Sequence, residues 1–151
     1  MHFNLSHCDG LVACALSQTV EVGLDVERVT RDTPIELAQR YFAVEEEQWL
    51  KELPPSARHT GFFQLWTMKE AFIKATGDGL SQSLQDFAIG FSPLRVSFRN
   101  PDLGDERVWR FVQRAIGDEH LLSLAWREGD AQTSVATEQV QFEKLLAIAK
   151  A

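Results

Sequence analysis

The sequence predicts an α+β fold in which an antiparallel sheet packs against a long helix. Strand-like alternation fills the first thirty residues and returns after residue 86, and two helical patterns lie between these regions. This order of strands, helices and strands favours antiparallel pairing. The chain has 151 residues, and we expect a single domain over residues 1–151 with a sizeable core.

Three strands are predicted before residue 30. Residues 3–7 alternate, Asp9 and Gly10 form a turn, and residues 11–16 are a mostly apolar run typical of a buried strand. Residues 20–27 alternate strictly, with apolar side chains at the even positions. One face of this third strand should therefore lie on the core.

Two helices are predicted next. Asp32 or Thr33 can cap the first, Pro34 suits its first position, and residues 35–49 keep helical spacing. Residues 53–56 break the pattern, and a second helix over 59–76 ends at Gly77 in a left-handed cap. Strands over 87–91, 96–98, 108–115 and 120–126 and a terminal helix over 139–150 follow.

Composition and charge exclude several classes of protein. The formal net charge of −7 argues against nucleic-acid binding through general electrostatics. No apolar run reaches the ~18–20 residues that cross a bilayer, and the first residues do not resemble a signal peptide. The two cysteines are interpreted as thiols rather than a disulfide framework, so we expect a cytoplasmic protein.

Two acidic residues stand out on the third strand. Asp25 and Glu27 are two positions apart, so their side chains point the same way from backbone positions roughly 6.6–7 Å apart. A hard divalent cation such as Mg²⁺ prefers carboxylate oxygens at this kind of spacing. The alternative interpretation is a solvated strand face that keeps the sheet soluble.

The second helix carries two stripes of side chains. One stripe is ordinary core, and the other holds a carboxylate and a lysine, which form a surface ion pair in the simplest interpretation. Phe63 lies on that same face, so we expect both sides of the helix to be covered, and a covered carboxylate needs a partner or a metal. The core stripe is Leu65, Met68, Phe72 and Ala75, and the second stripe is Trp66, Glu70 and Lys74.

Ser6 and His7 end the first strand. Adjacent residues on a strand face opposite ways, so they cannot form the hydrogen bond of a nucleophilic pair. Phosphate binding by the hydroxyl, the imidazole and the amides of the following turn is more natural. A structural histidine is the alternative.

Three segments together resemble the 4′-phosphopantetheinyl transferases of the Sfp type. They are FNLSH at residues 3–7, VGLDVE at 22–27 and WTMKEAFIK at 66–74, with GDGL following at 77–80. The resemblance implies a 4′-phosphopantetheinyl transferase-like fold. It also implies an enzyme that moves the phosphopantetheine arm of coenzyme A onto a serine of an acyl or peptidyl carrier protein, releasing 3′,5′-ADP.

The resemblance also implies roles for individual residues. Asp25 and Glu27 match the acidic pair that binds Mg²⁺, and Glu70 matches the third carboxylate and the base toward the serine. Lys74 matches the lysine that meets the phosphates. The remaining matches are the pair that contacts the 3′-phosphate of coenzyme A, Ser6 and His7, and two supporting residues, Trp66 and Lys69.

The chain departs from the tandem architecture of Sfp-type enzymes, because it resembles only their second half. A truncated or mis-started chain, a fragment and a self-assembling single half are the three explanations that stay open. A lone half should expose the apolar face that its partner would cover, so we expect homo-oligomers through that face. Carrier-protein docking is expected around the segment after Glu27 and the first helix, where basic side chains would attract an acidic partner. The basic residues are Arg28, Arg31 and Arg40, and Tyr41 is their aromatic neighbour.

Three functions are therefore weighed for the sequence. The first is a Mg²⁺-dependent phosphopantetheinyl transferase. The second is a non-catalytic half-domain that binds a carrier protein or coenzyme A and needs its missing first half for turnover. The third is an unrelated metal-dependent phosphohydrolase, which explains neither the helix motif nor the pair of Ser6 and His7.

Overall fold

The computed structural model describes residues 1–33, 35–77, 79–129 and 133–140. Its strands pair antiparallel throughout and pack around one long helix, which confirms the predicted α+β class. The strands are β1 (His2–Cys8), β2 (Leu11–Ser17), β3 (Val22–Arg28), β4 (Phe87–Phe91), β5 (Leu94–Phe98), β6 (Trp109–Ile116) and β7 (His120–Arg127). The helices are α1 (Leu37–Tyr41), α2 (Val44–Glu52) and α3 (Pro55–Thr76).

The strands form three small antiparallel sheets rather than the one sheet expected from the sequence. Their orders are β1–β2, β3–β7–β6 and β4–β5. Strand β1 does not extend the backbone hydrogen-bond ladder of β3, because the amides on that edge of β3 donate to side chains of β1. Leu24 N donates to Asn4 Oδ1 (3.0 Å) and Val26 N donates to Ser6 Oγ (3.1 Å), so polar side chains of β1 take the place of backbone acceptors.

Helix α3 lies in the middle of the core and packs against β3 and β7. Its predicted core stripe is buried throughout. Gly23 of β3 allows a close approach, because a Cβ at this position would lie 2.0 Å from the carbonyl oxygen of Ala71 and 2.3 Å from the amide nitrogen of Ala75. The backbone of α3 is therefore held directly against β3.

The strand over residues 11–16 exists, but its prediction as a buried strand is wrong. In the β1–β2 register, Phe3 opposes Leu16 and Leu5 opposes Cys14, so these side chains share one face of the hairpin. That face is open to solvent, with apolar side chains that are 57–73% exposed: Phe3, Leu5, Val12 and Leu16. Only the opposite face of the hairpin packs on β3, so the apolar side chains on the open face have no cover.

Helix boundaries differ from the sequence prediction at two places. The first predicted helix is two helices, because Phe42 and Ala43 adopt extended backbone between α1 and α2 and bury their side chains. The second begins at Pro55 rather than residue 59, since a proline fits the first helical position, where no amide is needed. It ends as predicted, at Gly77 with φ 79°.

Two predictions concern the ends and the environment of the chain. The terminal helix over 139–150 falls mostly on residues 141–150, outside the described residues, and residues 139 and 140 are not helical. In the described part of the chain, we find no helix with the length and apolar character that a membrane crossing requires.

Candidate active site

Asp25 is a buried carboxylate on β3 that pairs with a lysine of α3. Its side chain accepts hydrogen bonds at Oδ1 from Lys74 Nζ (2.7 Å) and Ser6 Oγ (3.0 Å). The residue is only 5% exposed, and burial raises the pKa of its carboxyl although Lys74 and Ser6 act in the opposite direction. Asp25 therefore depends on nearby positive charge to remain ionised.

Glu27 lies two positions further along β3 and pairs with Arg31 in the following turn. Arg31 Nη2 lies 3.0 Å from Glu27 Oε1. Burial raises the pKa of Glu27, the Arg31 charge lowers it, and the Asp25 charge raises it again. A hydrogen bond from Trp66 also favours the ionised form, which gives this motif residue a physical role in holding Glu27.

Glu70 is half-buried on α3, and within the described residues it has neither a hydrogen bond nor an ion pair. Burial raises the pKa of its carboxyl, and the charges of Asp25 and Glu27 raise it further, whereas Lys74 lowers it. These charge interactions show that Glu70 faces the same region as the two strand carboxylates. The predicted set of three acids thus shares one electrostatic environment.

The donor chemistry of this region fits a hard divalent cation. Asp25 Oδ2 is buried with no hydrogen-bond partner among the described residues, and the carboxylates of Glu27 and Glu70 share its electrostatic environment. As the side chains stand, however, the described residues contain no group of three His, Cys, Asp or Glu positioned to hold a metal. The role of the three carboxylates as one ligand set stays a prediction.

Ser6 and His7 lie on opposite faces of β1, as the alternation predicts. Ser6 is buried and faces β3, where it bonds to Asp25, to the amide of Val26 and to Lys74. His7 is exposed on the open face of the hairpin. The structure therefore brings Ser6, but not His7, to the carboxylates, and their joint contact with a coenzyme A phosphate stays a prediction.

Lys69 is completely buried and forms an ion pair inside the core. Its Nζ donates to Glu46 Oε1 (2.8 Å), Glu46 Oε2 (2.7 Å) and the carbonyl oxygen of Phe87 (2.7 Å). The same carboxylate accepts from the amides of Ile89 (2.7 Å) and Ala43 (2.8 Å). This arrangement joins α2, α3 and β4, which fits a supporting rather than a ligand-binding position for Lys69.

The side chains predicted to dock a carrier protein are spread over three short segments. Arg28 is bound to Asp9 (2.6 Å) and Glu119 (3.1 Å). Arg40 lies over the ring of Tyr41, 5.4 Å from its centroid. Arg31 is engaged with Glu27, so it belongs to the carboxylate site as well as to the surface around it.

The sequence reasoning missed Glu46 and the contact between Arg31 and Glu27. A signal for Glu46 was available, because Lys69 follows Leu65 by four positions and precedes Phe72 by three, which places it on the core side of α3. A lysine at such a position requires a buried acidic partner. The Arg31 contact had no such signal, since it depends on the course of the turn after β3.

Comparison with known proteins agrees with the resemblance. A family model described as the 4′-phosphopantetheinyl transferase superfamily matches residues 21–125. The chain is 40% identical over 92 residues to the 4′-phosphopantetheinyl transferase HetI of Nostoc sp., covering 60% of this chain and 38% of that protein. It is 38% identical over 102 residues to the 4′-phosphopantetheinyl transferase Sfp of Bacillus subtilis, covering 67% of this chain and 45% of that protein.

A solved structure shares the fold. The crystal structure of the holo-[acyl-carrier-protein] synthase AcpS of Thermotoga maritima superposes with a TM-score of 0.62 at 24% identity, covering 73% of this chain and 64% of that one. The chain spans less than half the length of the two curated relatives. The family match covers more than half of this chain and includes β3 and α3, so the chain belongs to the 4′-phosphopantetheinyl transferase superfamily.

Proposed function

We propose that this protein transfers 4′-phosphopantetheine from coenzyme A to a serine of an acyl or peptidyl carrier protein, in a Mg²⁺-dependent reaction that releases 3′,5′-ADP. The observation that supports this most directly is the family match over residues 21–125. That range includes both elements that carry the site, β3 with its acidic pair and α3 with Glu70 and Lys74. The relatives' names supply the type of reaction.

The residues of this chain would divide the work as follows. Asp25, Glu27 and Glu70 would hold the ion, which when bound would supply positive charge next to the phosphoryl oxygens. Lys74, whose Nζ already lies within 2.7–3.2 Å of three oxygens around Asp25, presents an ammonium group to the phosphates. Ser6 supports this side of the site through its hydroxyl, whereas His7 lies on the opposite, exposed face of β1, and its contact with a phosphate of coenzyme A stays a prediction.

Glu70 is the proposed base of the transfer. The serine oxygen attacks the phosphorus of the phosphopantetheine arm, an oxygen–phosphorus bond forms, and the bond to the departing 3′,5′-ADP breaks. The serine proton passes to the Glu70 carboxylate, whose raised pKa suits a group that must accept a proton. Trp66 holds Glu27, and Lys69 holds α3, so the base and the acidic pair keep their mutual placement.

The docking side of the proposal concerns the charge of the partner. The protein has a net charge of −7, so an acidic carrier protein would need a local basic surface. Arg31 contacts Glu27, and Arg40 lies over Tyr41, which in turn packs edge-on against Trp66. We propose this side of α1 and the turn after β3 as the docking surface.

A transfer assay tests the main proposal. The chain is incubated with coenzyme A, Mg²⁺ and an apo-carrier protein, and the mass of the carrier protein is measured by mass spectrometry. We expect a mass gain that Asp25→Ala and Glu70→Ala each reduce by about a hundredfold or more. The matched control is Glu52→Ala, which removes an exposed carboxylate at the end of α2; near-normal transfer by Asp25→Ala or Glu70→Ala would remove the proposed roles.

The same assay separates the alternative functions. Coenzyme A binding without a mass gain of the carrier would indicate a non-catalytic half-domain. Release of inorganic phosphate would instead indicate a phosphohydrolase. Either result would replace the transferase proposal.

The open face of the β1–β2 hairpin supports a proposal about assembly. Four apolar side chains on this face are more than half exposed, and such a patch is costly on a lone soluble protein. We propose that a second copy of the chain covers it. Light scattering at high concentration should show oligomers that Leu5→Lys converts to monomers, and a clean monomer of the unaltered chain would refute this.

A further inference from the structure

Both acidic side chains of β3 are already paired with cations of this chain. Lys74 Nζ lies 2.7 Å from Asp25 Oδ1, and Arg31 Nη2 lies 3.0 Å from Glu27 Oε1. Lys74 also donates to the carbonyl oxygen of Leu24 (3.1 Å). The two carboxylates are thus neutralised by two monovalent groups, one from α3 and one from the turn after β3.

We propose that Lys74 and Arg31 are resident counter-cations, and that a divalent ion bound by Asp25 and Glu27 replaces them. The inference rests on the proposed function, because it takes these two carboxylates as ligands of the ion. The exchange conserves charge, since one divalent ion supplies the two positive charges that the side chains withdraw. It also explains why Asp25 can stay buried before any ion binds.

The two cations compete with a metal ion for the same oxygens. An ammonium group in contact with Asp25 Oδ1 would repel a divalent ion at that carboxylate strongly, because the interaction of charges a few Å apart is poorly screened in a partly buried site. The ion can therefore bind well only when Lys74 has moved away. Metal affinity in the absence of coenzyme A is accordingly lower than the carboxylates alone would give.

The exposure of the side chains makes the exchange feasible. The Lys74 side chain is 29% exposed and that of Arg31 is 46% exposed, so both have a route to solvent or to a phosphate. Lys69 shows the contrast, because its side chain is fully enclosed and its ion pair with Glu46 has no such route. The cations at the proposed metal site can therefore leave their carboxylates, whereas Lys69 cannot.

Calorimetric titration of the 151-residue chain with Mg²⁺, without coenzyme A, tests the inference. We expect Lys74→Met to bind Mg²⁺ about tenfold more tightly than the unaltered chain, and Arg31→Met to bind several-fold more tightly. Lys74→Arg keeps the charge and should stay near the unaltered affinity. The matched control is Lys51→Met, which breaks an exposed pair with Glu47 on α2 and should change nothing.

A second readout uses thermal unfolding. Lys74→Met should lower the melting temperature in metal-free buffer, because Asp25 loses its counter-charge, and Mg²⁺ should raise that temperature more for the variant than for the unaltered chain. If Lys74→Met does not fold without metal, Arg31→Met still decides the question, because its side chain is nearly half exposed.

The outcomes distinguish this inference from the proposed function. Unchanged or weakened Mg²⁺ binding in both Met variants would overturn the exchange even if transfer to a carrier protein is observed. Tighter binding in the variants, with no transfer by the unaltered chain, would support the exchange and overturn the transferase proposal. Absence of Mg²⁺ binding in every variant would overturn the exchange and the metal dependence together.

Discussion

Replacing Lys69 by methionine should destabilise the protein more than any comparable change of a surface lysine. Lys69 and its partner Glu46 are 0% and 1% exposed, and five hydrogen bonds connect them to each other and to the backbone of Ala43, Phe87 and Ile89. The methionine keeps the length of the side chain but removes its charge and donors. Glu46 would then lie in the core without its cation.

The magnitude follows from the desolvation of that charge. Removing one partner of a buried ion pair costs about 3–5 kcal/mol of unfolding free energy, a large part of the 5–15 kcal/mol typical of a whole domain. Burial lowers the pKa of Lys69 to about 8 although Glu46 opposes this, which shows how strongly the site disfavours unbalanced charge. An exposed pair is expected to contribute only about 0.2–1 kcal/mol.

Urea unfolding followed by tryptophan fluorescence measures the effect, with Lys51→Met as the matched control on the exposed pair with Glu47. We expect the loss at Lys69 to exceed that at Lys51 by about 2 kcal/mol or more. The double variant Lys69→Met/Glu46→Leu should recover part of the loss, because no charge remains in the core. A Lys69→Met variant within about 1 kcal/mol of the unaltered chain would refute the reasoning.

Two further predictions concern the site and the core. Glu70→Gln should raise the stability of the metal-free chain by about 1 kcal/mol at neutral pH, because it removes the desolvation of a half-buried charge and the repulsion from the other acids. The raised pKa of Glu70 makes the folded chain hold more protons than the unfolded chain between pH 4.5 and that raised value, so the gain should disappear below pH 4.5 in urea unfolding at several pH values. Gly23→Ala should destabilise the chain by several kcal/mol in the same assay, because its Cβ would meet the backbone of α3, whereas Gly129→Ala meets only Val20 at 4.0 Å and should be nearly neutral.

Local periodicity predicted the elements better than their assembly. The extended segment of β3 and the left-handed end of α3 at Gly77 follow from rules that act over a few residues, and both are confirmed. The one-sided burial expected of β3 is wrong, because residues 23–26 are all buried. The break between α1 and α2 was missed, because burial of Phe42 against Phe62 overrides helical spacing. The separation of β1 from the ladder of β3 was also missed, because it depends on side chains reaching across to another strand.

The site residues also divide into those that a local motif identifies and those that only contacts between elements identify. The resemblance selected Asp25 and Lys74 by motif, and the structure shows that they contact each other. No motif contained the information that Arg31 reaches back four positions to Glu27, since this requires the turn after β3. The position of Lys69 on the core side of α3 indicates that it needs an acidic partner, but the identity of that partner, Glu46, becomes visible only when α2 is packed beside α3.

Gly23 connects the packing of the fold to the chemistry of the site. The backbone of α3 lies against β3 at this residue, where a methyl group would meet the backbone of Ala71 and Ala75. Lys74 lies between these two helical positions and Asp25 lies two residues beyond Gly23, so the same close approach lets the lysine reach the carbonyl of Leu24 and the carboxylate of Asp25. A wider spacing between α3 and β3 would separate Lys74 from the acidic pair. Asp25 would then be a buried carboxylate without a cation, and an unpaired buried charge is costly. The glycine therefore sets both the core packing and the placement of the charge that the carboxylates of β3 require.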